Sequence, residues 1–373
     1  MVVALIVAIV LFQVLTDGVL LRQENLSNLV VQNGYILILA IGMVMVIVGG
    51  HIDLSAGSVA GFVGAVSGVL AVRLEIPAPL AILLSLIVGA LIGAWQGFWI
   101  AYVGVPSFIV TLAGMITFSG ATLAVLGDIN IGSFPEMYRA IGNGFINFGE
   151  GGIDPFTLAL TASVILTLVF LKIRTRRRRI SFSQTVDSVT WFIIKLAFIS
   201  AAVGYFGTML ALYKGTPVVL IILGLLLIIY TVITQGSVIG RQVYAVGGNR
   251  AAAQLSGIRT KRVDFLLFVN MGILAALAGI VFTARLNLAA SSAGTGFELE
   301  AISAAFVGGA AVTGGVGTVG GAIIGGLIIG ILNNGMSIMG LGVQWQLVVK
   351  GLVLLGAVAF GVISMARSGT FKK

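Results

Sequence analysis

The chain has 373 residues, of which 59% are hydrophobic and only 9% are charged. Soluble proteins typically carry about 25% charged residues, so this composition excludes a water-soluble globular fold. There are no cysteines, which excludes disulfides, thiolate metal sites and cysteine nucleophiles.

Apolar runs of about 20 residues recur along the whole chain, and each is long enough to cross a bilayer core of ~30 Å as a helix. Within lipid the backbone polar groups must be satisfied internally, so only helices or a closed barrel can span. Barrel strands would alternate apolar and polar residues, whereas these runs are apolar on every face. The sequence therefore predicts an all-α polytopic membrane protein with about twelve transmembrane helices. Its 52 glycines suit close packing between such helices.

The predicted spans in chain order are approximately 1–15, 30–48, 58–72, 79–102, 106–126, 156–173, 190–212, 217–234, 263–286, 300–312, 319–332 and 346–363. The first is interpreted as a retained helix rather than a signal peptide, because it lacks a basic start and a clear small-residue cleavage site. The longest polar segment, about 127–155, is rich in Gly, Asn and acids.

Basic residues concentrate in three clusters, which are Lys172, Arg174 and 176–179; Arg241, Arg250, Arg259, Lys261 and Arg262; and Arg367, Lys372 and Lys373. The twelve-span arrangement places all three clusters and both termini on one side, which the positive-inside rule makes cytoplasmic. Most acids are then expected on the other side, namely Asp17, Glu24, Glu75, Asp128, Glu136, Glu150, Asp154, Glu298 and Glu300. This distribution explains the net charge of +9 without nucleic acid. The run "RTRRRR" is expected to meet the anionic headgroups of membrane lipid.

The stretch "VIVGGHIDLSAGSVAG", 46–61, interrupts the apolar pattern with the only histidine, His51, and with Asp53. The neighbouring glycines let the chain leave helical geometry, and Asp53 or Ser55 is expected to cap a helix that begins near Ser58. The functional alternative is that the broken segment lines or gates a transport path, because irregular backbone at membrane depth borders a cavity. The two interpretations are compatible.

The hexapeptide "GVGTVG", 315–320, matches a dinucleotide-binding fingerprint only weakly. The required preceding strand and the acid about 20 residues later are both missing, so a tight cytoplasmic turn between glycine-rich helices is expected instead. The sequence contains no P-loop motif, metal-ligand cluster or nucleophile constellation. The chain is therefore expected to hydrolyse no ATP itself and to bind no cofactor.

The segment 241–265 is the longest basic, non-spanning stretch of the C-terminal half. Within it, "NRAAAQLSGI" predicts a short helix with Asn249 as N-cap and Gly257 as C-terminal stop. Ala252, Leu255 and Ile258 recur at three-residue spacing and predict a small apolar stripe. Such a helix either lies on lipid or docks into a groove of a cytoplasmic partner.

Several motifs resemble one family across nearly the whole chain. "GGNRAAAQLSGI" resembles the coupling segment of permease subunits in the ribose/xylose-type family of bacterial ABC sugar importers. "GGHIDLSAGS" is similar to the same family's signature, and its His form to the xylose and multiple-sugar branch. The resemblance continues in "PSFIVTLAGM", "LEAISAAFVGGAAVTGGVGTVGGAIIGGLIIGILNNGM" and "WQLVVKGLVLL". About 156–215 departs from the shorter members and resembles an inserted helical pair around the arginine run.

The resemblance implies a single transmembrane permease domain over 1–373 in the bacterial cytoplasmic membrane, which imports a monosaccharide such as xylose by alternating access. A separate nucleotide-binding subunit would use ATP and Mg, an extracytoplasmic binding protein would deliver the sugar, and a second copy of the chain would complete a dimer. The coupling segment 241–262 would seat on the ATPase through Gly247, Gly248, Asn249, Ala252, Leu255 and Gly257.

A sugar path needs many modest hydrogen bonds and a stacking face. The candidates are His51, Asp53, Ser55, Asn33, Gln96, Phe108, Thr111, Asn270, Asn333 and Asn334. Any single one of them can equally hold helices together. The main rival function is an ion-coupled secondary transporter of a small polar solute, which would need a buried coupling acid or an inverted repeat. Asp53 is the only candidate acid, and the docking helix would then have no role. A membrane enzyme is disfavoured because no catalytic constellation is visible.

Overall fold

A computed structural model describes residues 1–127, 129–149 and 152–367. Four residues that carried sequence predictions, Asp128, Glu150, Lys372 and Lys373, lie outside these ranges. The described chain is a bundle of helices with only four two-residue strands. The strands are β1 (Ile131–Gly132), β2 (Phe145–Ile146), β3 (Thr216–Pro217) and β4 (Leu288–Ala289).

The helices of the first half are α1 (Val2–Leu15), α2 (Gln23–Val48), α3 (Ala56–Gly68), α4 (Ala78–Phe98), α5 (Ser107–Leu126), α6 (Glu136–Asn143) and α7 (Pro155–Ser181). One π-helical turn extends α3 through Val69–Arg73, and another extends α4 through Trp99–Val103. The second half contains α8 (Val189–Ala211), α9 (Val218–Gly236), α10 (Val238–Gly248), α11 (Arg250–Leu255), α12 (Thr260–Leu286), α13 (Phe297–Val307), α14 (Val319–Ile338) and α15 (Val343–Arg367).

Nine helices within the described ranges are long and apolar enough to cross a membrane, and α1 and the part of α15 from Val343 to Ala359 are shorter apolar helical segments. Together with α13, they provide one helix for every predicted span. The prediction of an all-α polytopic membrane protein is therefore confirmed.

The span predicted at 300–312 contains a helix, α13, that is too short to cross a bilayer by itself. Helix α13 has 11 residues and reaches roughly 16 Å, about half of a bilayer core. The preceding loop dips into the bundle, so that a Cβ on Gly57 of α3 would lie 2.3 Å from the carbonyl oxygen of Gly294. Glu298 and Glu300 consequently lie inside the bundle rather than beyond it, which corrects their expected place.

The bundle has two distinct ends. The strand end carries α6 and the antiparallel pairs β1–β4 and β2–β3. The basic end carries the segment 49–55, helices α10 and α11, and the turn 308–318 that precedes α14. The side chain of Met1 packs beside Gly309 at the basic end, and α15 runs back toward that end.

Helix α2 is the central helix, and nearly all of its residues after Leu29 are buried. It packs against α12, α13 and α14, and α12 in turn packs closely against α4. Glycines permit that last approach, because a Cβ on Gly93 of α4 would lie 2.2 Å from the carbonyl oxygen of Phe268. Small residues thus bring helices together where no hydrophobic force between them acts in lipid.

Helices α7 and α8 form a hairpin at the position of the predicted inserted pair. They pack mainly against each other, and few of their side chains are buried. Asp154 caps α7 by accepting a 3.0 Å bond from the Thr157 amide at the strand end, so the arginine run lies toward the basic end. Tyr205 of α8 donates a 3.2 Å bond to the carbonyl of Leu21.

Candidate functional site

The predicted break between α2 and α3 is confirmed. Helix α2 ends at Val48, Gly50 adopts a left-handed conformation with φ +84°, and α3 starts only at Ala56. The amide of His51 donates to the carbonyl of Val46 at 3.1 Å, which closes the end of α2. We call residues 49–55 the broken segment.

A buried polar network anchors the broken segment to α4. The amide and hydroxyl of Ser55 donate to Oδ1 of Asp53 at 2.8 and 2.6 Å. Nε2 of Gln96 donates to the Ser55 hydroxyl at 2.7 Å. Thr111 of α5 reaches the broken segment, because its hydroxyl donates to the carbonyl of Ile52 at 3.4 Å. Four predicted path residues, Asp53, Ser55, Gln96 and Thr111, are therefore brought together.

The expected side-chain cap on α3 is not formed. Ser55 is the N-cap residue, but it makes no side-chain capping bond because its hydroxyl is committed to Asp53 and Gln96. Asp53 instead fixes the turn that precedes the helix by accepting the Ser55 amide.

His51 meets a residue that the sequence interpretation did not single out. Its Nε2 lies 3.1 Å from Oδ1 of Asp264, whose other oxygen accepts from Arg250. The Asp264 side chain is 1% exposed and that of Arg250 is 44% exposed. The available signal was an acid directly after the basic cluster, in "RTKRVDF".

The predicted short helix is confirmed as α11. Oδ1 of Asn249 accepts from the amide of Ala252 at 3.0 Å, and Gly257 ends the turn with φ +82°. The predicted apolar stripe is wrong as a single face. Ile258 packs against the core, whereas Ala252 is exposed and Leu255 is 91% exposed. Ala252 and Leu255 therefore point away from the bundle.

Three segments meet behind α11 through glycines. A Cβ on Gly247 would lie 1.7 Å from the carbonyl oxygen of Val48, which also accepts from the Gly315 amide at 2.8 Å. Gly248 has nothing within 4 Å of its Cβ position. The turn expected at 315–320 is confirmed, and Thr318 caps α14 through the amide of Gly321 at 3.0 Å. The end of α2, the end of α10 and this turn form one close-packed junction.

The remaining predicted path residues do not join the network. Asn33 donates to the carbonyl of Leu29, Asn270 accepts from Tyr230, and Asn334 exchanges bonds of 2.8 and 2.9 Å with Asn25. Phe108 is 54% exposed on α5. The three asparagines bond to other groups of the same chain, and the Phe108 side chain lies exposed on the surface of α5.

A second polar cluster lies within the bundle. Lys350 of α15 donates to Glu300 of α13 at 2.5 Å, and the other carboxylate oxygen accepts from Tyr35 at 3.2 Å. Asn333 donates to Glu300 at 3.3 Å and is the only predicted path residue in this cluster. The sequence interpretation missed it because it placed Glu300 outside the bundle. Lys350 as a lone charge in "WQLVVKGLVLL" was the available signal.

Among the residues that the structure describes, no group of three or more His, Asp or Glu is arranged to hold a metal ion. The polar clusters are built from amides, hydroxyls and ion pairs. These groups present hydrogen-bond donors and acceptors of the kind that a neutral polar solute can use.

Residues 25–358 match the family described as branched-chain amino acid transport system / permease component. The chain is 37% identical to the xylose transport system permease protein XylH of Haemophilus influenzae, over 83% of this chain and 81% of the relative. It is also 37% identical to the Escherichia coli protein of that name, over 83% of this chain and 77% of the relative. Identity to the ribose import permease protein RbsC of Haemophilus influenzae is 32%, over 77% of this chain and 69% of the relative. No solved structure gave a significant match.

Proposed function

This chain belongs to the branched-chain amino acid transport system / permease component family, and we propose that it is the membrane-spanning subunit of an ATP-driven monosaccharide importer. The similarity to xylose and ribose permeases favours a pentose or a related sugar as the solute. The chain is a transporter subunit, and a separate nucleotide-binding subunit would hydrolyse ATP with Mg.

The exposed face of α11 is the observation that carries this proposal. Leu255 is a large apolar side chain that is 91% exposed at the tip of a capped helix, beside the small residues Ala251 and Ala252. A leucine projecting from a basic, non-spanning loop suits a partner groove that is apolar within and acidic at its rim. The nucleotide-binding subunit would seat here, where Gly247 and Gly248 end α10 and where Asn249 and Gly257 bound α11.

Movement of α11 would reach the broken segment by two routes. Arg250 of α11 and His51 share the buried carboxylate of Asp264, so a displacement of Arg250 would change the position of the carboxylate that His51 contacts. The junction of Gly247, Val48 and Gly315 has no slack, because even a methyl group would overlap backbone there. Closure of the ATPase would therefore shift the broken segment and the turn before α14 together.

The basic end would face the cytoplasm, in agreement with the positive-inside rule. Both termini would then be cytoplasmic, and the strand end would receive an extracytoplasmic sugar-binding protein. A second copy of the chain would complete the translocation path between two bundles in the bacterial inner membrane.

The sugar would pass along the network of Asp53, Ser55, Gln96 and Thr111 near the basic end, with His51 at its edge. Phe108 would supply a stacking face. Among the asparagines, Asn333 would contribute through the Glu300 cluster, and Asn33, Asn270 and Asn334 would shape the path by fixing the helices around it.

The rival proposal is an ion-coupled secondary transporter, for which the buried acids Asp53 and Glu298 and the half-buried Glu300 would be candidates. Glu300 is paired with Lys350, and Asp53 accepts two bonds from Ser55. Ion coupling also leaves α11 without a partner. The exposed Leu255 therefore favours the ATP-driven importer.

Co-purification tests the docking face. Ala252→Glu places a charge on α11 and is expected to abolish capture of the nucleotide-binding subunit, while Ala140→Glu at an exposed position of α6 is the matched control and retains it. In proteoliposomes containing the whole complex and its binding protein, ATP turnover should rise with xylose or ribose and not with leucine. Normal ATPase capture by Ala252→Glu would contradict the docking of the ATPase on α11. Stimulation of ATP turnover by leucine alone would show that the solute is an amino acid and not a sugar.

A further inference from the structure

The α7–α8 hairpin contains a cleft at its basic end that the transport proposal leaves unused. The cleft has a volume of about 450 Å³ and lies between the last turns of α7 and the first turns of α8. The side chains that define its chemistry are Lys172, Arg176, Arg179, Asp187, Phe192 and Lys195.

The cleft carries more positive than negative charge. Lys195 donates a 2.7 Å bond to Asp187, which holds the pKa of that carboxyl below its usual range and keeps it ionised at neutral pH. Arg176 donates to the main-chain carbonyl of Asp187 at 2.7 Å and stacks on Phe192. Within the described residues, Lys172 and Arg179 make no side-chain hydrogen bond or ion pair. Their donors are available to an anion.

The depth of the cleft matches the edge of a bilayer. Helix α7 starts at the strand end, and Lys172 lies roughly 25 Å along it from Pro155, near the far side of a ~30 Å hydrocarbon core. Trp191, at the start of α8, is 53% exposed beneath Lys195. Tryptophan is enriched at the level of lipid headgroups, which supports the same depth.

Leu196 and Ile199 of α8 line the cleft beside the cations, and other exposed apolar side chains cover the outer faces of the hairpin. Phe170 on α7 is 62% exposed, and Ile194 and Phe198 on α8 are 50% and 57% exposed. A ligand with a charged head and hydrocarbon tails would satisfy both the cations and these faces. A soluble anion would satisfy the cations alone.

We propose that this cleft binds the phosphate of an anionic glycerophospholipid, whose acyl chains lie along the exposed faces of α7 and α8. Basic pockets at the inner ends of transmembrane helices recognise such headgroups. Lys172 and Arg179 contact the phosphate, and Arg176 and Lys195 hold the cleft open through Phe192 and Asp187. The hairpin is thereby a lipid-anchored element beside the transport bundle.

The test uses the full-length protein, stripped of lipid in a zwitterionic detergent and titrated with phosphatidylglycerol, with phosphatidylcholine or with inorganic phosphate. Bound molecules are counted by native mass spectrometry. The pocket variant is Lys172→Gln with Arg179→Gln. The matched control is Arg174→Gln with Arg177→Gln. It removes the same number of charges from the same basic cluster, at two positions that do not line the cleft.

The expected result is tight phosphatidylglycerol binding by the wild type and the control, and affinity lower by about 10-fold or more in the pocket variant. Phosphatidylcholine should bind weakly to all three proteins, and inorganic phosphate should not displace the lipid. Equal losses in the control and pocket variants would show diffuse attraction to the arginine run and overturn the site. Displacement by inorganic phosphate would identify a soluble-anion site instead.

Discussion

Nε2 of His51 lies 3.1 Å from Oδ1 of Asp264, although 213 positions separate the two residues in the sequence. Arg250 binds the other oxygen of the same carboxylate. The broken segment, α11 and the start of α12 therefore share one buried charge. The proposed coupling between α11 and the broken segment can therefore be tested one residue at a time.

Arg250→Gln should destabilise the protein more than Asp264→Asn. The arginine variant removes one of the two partners of a carboxylate that is 1% exposed, and removing a partner from a buried polar group costs ~1–3 kcal/mol. The aspartate variant leaves a half-exposed arginine that turns to water. Unfolding in detergent measures both effects, and the double variant should show a coupling free energy of ~1.5–3 kcal/mol. The exposed Arg259→Gln is the control, and strictly additive free energies would contradict the shared charge.

Gly247→Ala should disrupt the glycine junction, whereas Gly248→Ala should be tolerated. The added methyl of the first overlaps the carbonyl of Val48, while that of the second meets nothing within 4 Å. We expect the first variant to lose most sugar uptake per assembled complex and the second to lose less than half. Uptake in membrane vesicles, normalised to captured ATPase, measures this. Equal behaviour of the two alanines would refute the close contact.

Lys350→Met should destabilise the bundle by ~1–3 kcal/mol, because it removes the charged partner of Glu300. The carboxylate then keeps only its bonds to Tyr35 and Asn333. Adding Glu300→Gln removes the carboxylate charge and should restore most of the loss. Thermal unfolding of the single and double variants in one detergent makes the comparison. If the double variant is as unstable as Lys350→Met alone, the ion pair is not the origin of the effect.

Asn334→Ala and Phe108→Ala should separate helix packing from the sugar path. Loss of the paired bonds to Asn25 should lower stability by ~1–2 kcal/mol with uptake per folded protein retained. Phe108 is 54% exposed, so its removal should leave stability unchanged and weaken uptake several-fold. The measurements are unfolding in detergent and initial uptake rate. The path assignment of Phe108 fails if the variant transports at the wild-type rate.

Single cysteines should report the sidedness of the two bundle ends, because the chain has none of its own. A cysteine at Met137, which is 64% exposed on α6, should react with an impermeant thiol reagent in spheroplasts. A cysteine at the exposed Ser181 should react only after the membrane is opened. Labelling of position 181 in intact cells would reverse the proposed orientation.

Features with a local cause were predictable from the sequence. Each predicted span has a helix, since about 20 apolar residues are sufficient to define one. The break after Val48 and the turn at 315–320 follow from glycines that reach conformations closed to other residues. Asn249 and Gly257 bound α11 because capping depends only on neighbours a few positions away.

Only the tertiary structure decided which polar residues meet. The sequence predicted a capping role for the Ser55 side chain, whereas its hydroxyl accepts a bond from Gln96 on another helix. The sequence predicted that Glu300 lies beyond the bundle. In the structure the loop before α13 dips inward, and Glu300 accepts a bond from Lys350. Asp264 gained its importance from His51 and Arg250 together. The sequence by itself determined where helices start, stop and break, because those choices are made by residues close along the chain. Burial of a charge is stabilised by a partner that packing brings from far along the chain, and no local pattern records that partner.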